Sequence, residues 1–231
     1  MEVASSKVRY GRPRVTFMIR ERMGLKINHK RIARVYRELG LQVGRRSGKK
    51  RRSSKRLLFL APTAPDQMWA MDFVSDSLAT GRRFRALAIK DLFSHETVAI
   101  YVDFSIPGAR VVDVLDLLRR QGRCPKAIIV DNGAEFTAKA TDQWAYLNKV
   151  ELRFIQPGKP IQNAFIESFN DKFRSECLNL NWFESIYHAQ EVIEAWRIEY
   201  NTDRPNSALK NKTPEMFAKQ YEEGLRTQIQ P

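Results

Sequence analysis

The stretch AIIVDNGAEF, residues 127–136, decides how the chain is read. An apolar, β-branched run stops at Asp131, and Asn132-Gly133 comes next. Asn-Gly between two alternating strands is the strongest short-range hairpin signal. A hairpin needs a second strand, but the residues after the turn, EFTAKATDQWAYLNK, are helical in period and composition. Val130-Asp131 therefore reads as the C-terminal end of a strand entering a helix, with Asn132 and Gly133 shaping the turn. In open α/β sheets ligands bind at that edge, which makes Asp131 a candidate site residue. The competing reading is a turn aspartate that only caps the backbone after it.

The flanking segments fit an α/β body. QMWAMDFVSD (67–76), RRFRALAIKDLF (82–93) and ETVAIYVDFS (96–105) read as a meander of three strands. A helix is expected over 107–122, with Pro107 in its first turn and Gly122 stopping it. CPKAIIVD (124–131) suits a short, buried parallel strand. Next come a helix over about 137–148, with Trp144 and Leu147 apolar, and a fifth strand, ELRFI (151–155). The loop QPGKPIQN (156–163) leads into the helical AFIESFNDKFRSECL (164–178). A long helix at about 184–200 and a short one from Thr213-Pro214 complete the chain.

Two further acids stand out. Asp72 lies among Trp69, Met71 and Phe73, where a bare carboxylate is costly unless it meets a cation or a partner. An edge strand with one wet face would explain it without function. Glu167 lies on a helix whose other face is Phe165, Ile166, Phe169 and Phe173. Asn163, Asn170, Asp171 and Arg174 fall near it at i−4, i+3, i+4 and i+7. Alone, that is an ordinary amphipathic helix. Together, a carboxylate in a central strand, one ending a neighbouring strand and one on a following helix can converge on one point. Three acids with no nearby His or Cys favour Mg²⁺ or Mn²⁺. Two such ions, ~4 Å apart, can activate an attacking oxygen and stabilise the leaving oxygen of a phosphodiester.

Charge supplies the phosphodiester. The net charge is +14, and residues 1–60 hold 19 Lys/Arg against 3 Asp/Glu, while the remainder holds 21 against 23. A basic arm on a near-neutral body suits a polyanion, most often nucleic acid. A membrane surface fits less well, because the arm has no large apolar face. RVTFMIRERMG (14–24) reads as a helix with Val15, Met18, Ile19 and Met23 on one face. Asn28 is a good N-cap for HKRIARVYRELG (29–40), which sets Ile32, Val35, Tyr36 and Leu39 at helical spacing. The pair is a helix-turn-helix candidate, whose second helix carries Lys30, Arg31, Arg34 and Arg37 for docking in a DNA groove. A solvated charged face on a small helical pair is the alternative. GRRSGKKRRSSKR (44–56) has eight Lys/Arg in thirteen residues and no acid, as a disordered phosphate-binding linker would. No run approaches ~20 apolar residues, so no membrane span is expected. The N-terminus lacks a signal-peptide apolar region, and two isolated cysteines, Cys124 and Cys177, suit a cytoplasmic, reduced setting. His29, His95 and His188 lack zinc-ligand spacing.

WAMDFVSD, VDNGAEF and FIQPGKPIQNAFIESFNDKFRSECLN resemble the three acidic motifs of the DDE transposases and retroviral integrases, with 35 residues between Asp131 and Glu167. GKPIQNAFIESFN and YNTDRPNSALKNKTPEMF (200–217) resemble, more narrowly, the second-frame protein (OrfB) of the bacterial IS-three insertion sequences. NHKRIARVYRELGL (28–41) is similar to the small helix-turn-helix ahead of that family's catalytic core. The resemblance implies an α/β, RNase H-like fold: a mixed five-stranded sheet flanked by helices, with an N-terminal helix-turn-helix. The expected division is a helix-turn-helix at 1–43, a basic linker at 44–60, the catalytic core at 61–178 and a helical extension at 179–231. It implies an insertion-sequence transposase performing metal-dependent DNA strand cleavage and strand transfer. Asp72, Asp131 and Glu167 would hold two Mg²⁺ (or Mn²⁺) ions, and Asn132 and Gly133 would form the second motif's turn. Lys159, Gln162 and Asn163 would lie close to DNA, and Arg174 would contact a phosphate of the element's end. DNA ends and target DNA, a homo-oligomer on DNA and the first-frame protein are the implied partners, in a bacterial cytoplasm at the nucleoid.

Two residues depart from the pattern: Lys90 stands where a second acid is usual beside Asp91, and Asn206 where His is usual. Two other readings compete with the transposase. One is a catalytically decayed DNA-binding remnant, and the other is an RNase H-like nuclease that cuts without joining.

Overall fold

The computed structural model describes residue 4 and residues 7–41, 61–155 and 164–229. It forms two compact units, 1–57 with 205–212 and 58–204 with 213–231. The expected linker at 44–60 lies outside the described residues, as do Lys159, Gln162 and Asn163.

In the first unit, α1 (Arg12–Arg22) and α2 (His29–Glu38) bury Val15, Met18, Ile32 and Tyr36 against each other with Tyr10. Gly24 and Gly40 come after the two helices with φ of +62° and +64°, the left-handed conformation that ends helices and favours glycine. The Asn28 side chain accepts from the Lys30 N–H, an N-cap as the sequence suggests. The Arg20 guanidinium donates twice to the Ile27 carbonyl, at 3.0 and 2.8 Å, and closes the turn. Met23 and Leu39 belong to the apolar stripes by spacing but are 47% and 42% exposed, because each sits past the last full turn of its helix. In the returning segment Asn206 is buried, and its side chain caps a 3₁₀ turn (Ser207–Leu209) by accepting from the Ala208 N–H.

The second unit is a five-stranded sheet between helices. Its strands are β1 (Met68–Ser77), β2 (Arg83–Asp91), β3 (Thr97–Asp103), β4 (Ala127–Val130) and β5 (Glu151–Phe154), in the order β3-β2-β1-β4-β5. The first three form the antiparallel meander, and β4 and β5 add in parallel. Thus β1 is central and both of its faces are covered, which is why its sequence is apolar nearly throughout. Residues alternate between faces. Met68, Ala70 and Val74 meet Ile166, Phe169 and Phe173 of α5 (Ala164–Glu176) and Ile193, Trp196 and Tyr200 of α6 (Ile186–Thr202). Trp69 and Met71 meet Val111, Leu115 and Leu118 of α3 (Gly108–Arg120) and Trp144 of α4 (Lys139–Asn148). A last helix, α7 (Pro214–Ile229), ends the fold.

The edge strand β3 is closed by side chains of α6. Arg197 and Asn201 donate to the Thr97 carbonyl, Thr97 N–H donates back to Asn201, and Gln190 donates to the Val102 carbonyl. Capping these groups at both ends of the strand makes the edge a poorer template for another strand. Two apolar positions on the helices lie outside the core despite their spacing: Phe165 is 56% exposed and Leu147 is also exposed. Each helix buries a narrower stripe than its apolar spacing suggests.

Candidate active site

The strand order sets Asp72 and the end of β4 on neighbouring strands. β1 and β4 pair in parallel as far as Ala70 opposite Ile129; Asp72 and Asp131 each lie two residues further along their chains, and the Asp131 charge acts on Asp72. Directly paired residues share a face, and Asp72, two residues from both Ala70 and Val74, faces α5. The first turn of that helix carries Glu167. The hairpin reading of Asn132-Gly133 is excluded: β4 ends at Val130, Asp131 is the first residue beyond it, and α4 is the next element.

Asp72 is half-buried and poorly compensated. Its Oδ2 accepts from Asn170 Nδ2 at 2.7 Å, and its Oδ1 accepts from the Phe73 N–H at 2.8 Å. Burial raises its pKa to about 6, and the negative charges of Asp131 and Glu167 add to that rise. The hydrogen bonds from Phe73 and Asn170 act the other way without cancelling it. Asn170 Oδ1 is buried beside this carboxylate and has no hydrogen-bond partner.

The turn after Asp131 is fastened at both ends. Asp131 Oδ1 accepts from the Gly133 N–H at 2.9 Å, and Asn132 Nδ2 donates to the Ile155 carbonyl at 2.9 Å, beyond the end of β5. Gly133 has no positive φ; its requirement is space, since a Cβ there would lie 2.9 Å from Asp131 Oδ1. Glu167 is exposed at the start of α5. Arg174, also exposed, donates to the Ser75 carbonyl at 3.2 Å, a bond worth little that a phosphate could replace. Among the described residues no group of three or more His, Cys, Asp or Glu side chains is placed to hold a metal ion. The structure relates Asp72, Asp131 and Glu167 by charge: the last two act electrostatically on the first.

In the other unit Lys30, Arg31, Arg34 and Arg37 are all exposed on α2, Arg34 within 3.5 Å of Glu38. They form a basic surface opposite the buried Ile32 and Tyr36. The residues that sequence reasoning misses are Arg85 and Glu135, joined by an ion pair behind the Asp131 turn. The acid inside VDNGAEF is the visible half of that signal.

Comparison with known proteins identifies the family and the fold. Residues 62–160 and 148–214 each match an integrase core domain family, and residues 3–50 match an HTH-like domain. An uncharacterized 31.7 kDa protein of insertion element IS407 from Burkholderia multivorans is 48% identical over 96% of this chain and 79% of its own. An uncharacterized 39.2 kDa protein of IS476 from Xanthomonas euvesicatoria is 42% identical over 96% of this chain; this chain spans 64% of that protein, under two thirds. The HTLV-2 integrase catalytic core domain, solved with magnesium, superposes with a TM-score of 0.51 at 15% identity, over 68% of this chain and 98% of that one. The fold is that of an integrase catalytic core preceded by an HTH-like domain. The chain belongs to the family of insertion-element proteins that are OrfB transposases of the IS-three type. No helix among the described residues is long and apolar enough to cross a membrane.

Proposed function

We propose that the chain catalyses divalent-metal-dependent cleavage and strand transfer of DNA, with Asp72, Asp131 and Glu167 as the metal-binding acids. The observation that carries this reading is electrostatic: Asp72, on the sheet face covered by the Glu167 helix, feels the charges of both Asp131 and Glu167. Three carboxylates without nitrogen or sulfur donors fit Mg²⁺ or Mn²⁺. The raised pKa of Asp72 and the orphaned Asn170 Oδ1 mark a place short of positive charge and of a donor. That no group of three such side chains among the described residues holds an ion by itself is compatible with this reading, because Mg²⁺ is usually held by one or two carboxylates plus substrate phosphates rather than by a protein cage. When bound, two such ions would activate an attacking oxygen and neutralise charge on the phosphate.

The chain's own residues supply position. Asn170 and Phe73 N–H fix the Asp72 carboxylate, and Asn132 ties the Asp131 turn to β5. Arg174 would exchange its carbonyl partner for a phosphate of the element's end, and Lys159, Gln162 and Asn163 would meet the same DNA. Lys30, Arg31, Arg34 and Arg37 of the helix-turn-helix (1–43) would dock on DNA, with phosphate contacts from the basic linker (44–60). The catalytic core is assigned to 61–178 and its helical extension to 179–231. Joining requires two DNA ends held together, so the working form is a homo-oligomer on DNA, fused to or assisted by the first-frame protein, in the cytoplasm at the nucleoid.

The test is strand transfer of a labelled element end into a plasmid with Mg²⁺, comparing wild type with Glu167→Gln. Joined product from wild type alone is expected. Cleavage without joining would instead make the chain a nuclease. Silence, even with the first-frame region fused on, would make it a DNA-binding remnant.

A further inference from the structure

One guanidinium reaches both chain segments that carry Asp72 and Asp131. Arg85 stands on β2 opposite Ser75, on the sheet face away from α5. Its Nη1 donates to Glu135 Oε1 in a short ion pair. Its guanidinium also lies over Phe73, 4.0 Å from the ring centroid. Phe73 stacks on the fully buried Phe136, with ring centroids 5.1 Å apart and planes at 23°. Phe73 is the residue whose N–H binds Asp72, and Glu135 and Phe136 lie in the turn that begins at Asp131. A Cβ on Gly133 would meet Asp131 Oδ1 at 2.9 Å and Glu135 Oε2 at 3.3 Å, so the two carboxylates approach Gly133 together. The turn is held from the other side too, where Thr141 Oγ1 donates to the Glu135 carbonyl at 2.9 Å.

We infer that Arg85, acting through Glu135, is a positioning residue for Asp72 and Asp131. It pins the Asp131 turn to β1 and keeps the Glu135 carboxylate from acting as a stray ligand or a repelling charge. The inference rests on the proposed metal site. Its physical basis is that nearby carboxylates repel, and that an unpaired acid beside a cation site competes for the cation. The Arg85 and Glu135 side chains are 32% and 22% exposed, so salt screens the pair less than a surface pair. Only arginine suits the role, since its planar group pairs with a carboxylate and stacks on a ring at once.

The experiment is a thermal-unfolding titration of the full chain with MgCl₂ or MnCl₂, without DNA, so that the readout is metal binding rather than turnover. Arg85→Gln should raise the metal concentration for half-maximal stabilisation by ~10-fold or more, as loss of an outer-shell partner does. Adding Glu135→Gln to Arg85→Gln should recover part of that loss, because the uncompensated carboxylate is gone. Arg85→Lys keeps the charge but loses the fork, and should give an intermediate loss; it serves equally if Arg85→Gln does not fold. A wild-type metal response from Arg85→Gln, or from Arg85→Lys where that variant is the one read, overturns the inference. So does a double variant no better than Arg85→Gln. A wild-type chain indifferent to both metals overturns the metal-site reading, and this inference with it.

Discussion

Asp72 and Lys90 stand in adjacent strands, on the same face of the sheet and beneath the same helix, and the fold treats them in opposite ways. Asp72 lies opposite Ala88 and Lys90 opposite Ala70, which makes them diagonal neighbours. Consecutive residues of α5 attend to them: Asn170 donates to Asp72, while the Phe169 ring centroid lies 4.9 Å from Lys90 Nζ. Lys90 is only 3% exposed and is enclosed. It donates to the His95 carbonyl at 2.8 Å and to the Tyr200 hydroxyl at 3.4 Å, and the Tyr200 ring lies 5.0 Å away. Burial lowers its pKa to about 7, the Arg204 charge adds to this, and Asp91 and Glu96 oppose it. A buried amine so placed can shed its proton and needs no further partner. Asp72 is relieved by taking up a proton only below about pH 6, so at neutral pH it stays ionised beside the charges of Asp131 and Glu167. Opposite charges this near would stabilise the fold by pairing, yet no ion pair joins them. The site stays short of positive charge, which is the condition a cation would relieve.

Removing the charge of Asp72 is the largest test of that contrast. Asp72→Asn should lower strand transfer by about a thousandfold or more, the scale seen when preorganised charge stabilisation is lost. It should also make the chain more stable at neutral pH. The folded pKa of Asp72 is about 6 against an ordinary 3.8, so the fold favours the protonated group. Its contribution is fully present below the unfolded value and is lost as pH rises through the folded one. Urea unfolding from pH 4 to 7 should show wild type losing on the order of 1–3 kcal/mol relative to Asp72→Asn. Equal slopes for the two proteins would remove the strain argument while leaving the catalytic one intact.

Lys90 gives the mirror experiment. Its folded pKa, about 7, lies below the ordinary 10.5, so between these values the unfolded chain binds a proton that the folded chain does not. Stability attributable to Lys90 should therefore rise with pH across that window. Lys90→Met removes the rise and should stabilise the chain at pH 7, by an amount of a few kcal/mol that vanishes near pH 10. A flat difference between the two proteins across the window would show that Lys90 keeps its proton in the core.

Asn170 is predicted to matter less than Asp72 itself and more than any one contact of Lys90. Asn170→Ala leaves the Asp72 carboxylate with the Phe73 N–H alone. Metal-dependent activity should then need ~10–100-fold more Mg²⁺, the range for outer-shell partners of a ligand. An unchanged Mg²⁺ dependence would mean that Phe73 N–H is sufficient to orient the carboxylate.

The same side chains mark how far the sequence can be read. Asp131 is legible because its signal is local: a β-branched run, a stop, and a helical period after Asn132-Gly133. Asp72 is legible as an acid inside an apolar strand, and Glu167 only through its interval from Asp131 and the family resemblance. The helix-turn-helix is legible in its punctuation, since Gly24 and Gly40 do adopt left-handed φ. Partners are not legible, because pairing is tertiary. Asn170 meets Asp72 across 98 positions and Lys90 meets Tyr200 across 110, and no periodicity encodes either contact. By sequence Lys90 is a departure from the family's second acid; in the fold it is a buried amine held by two rings and a carbonyl. Phe165 shows the converse error, since helical period alone assigns it to a face that the sheet does not cover.

The smallest predicted effect separates the contacts that hold Lys90. At 2.8 Å the bond to the His95 carbonyl is of normal length, while 3.4 Å to the Tyr200 hydroxyl is long. Tyr200→Phe removes the long bond but keeps the ring, which also packs against Phe169 at 5.3 Å and Trp196 at 5.2 Å. It should therefore cost only about 0.5–1 kcal/mol, and the cost should appear at pH 6, where Lys90 is charged, more than at pH 9. Tyr200→Leu removes the ring too, and should cost about 3 kcal/mol or more through lost packing at every pH. If Tyr200→Phe instead costs as much as Tyr200→Leu, the hydroxyl and not the π face is what tolerates the buried amine. Lys90 would then be held by directed polar bonds, as Asp72 is, and the contrast between the two would reduce to the presence of neighbouring acids.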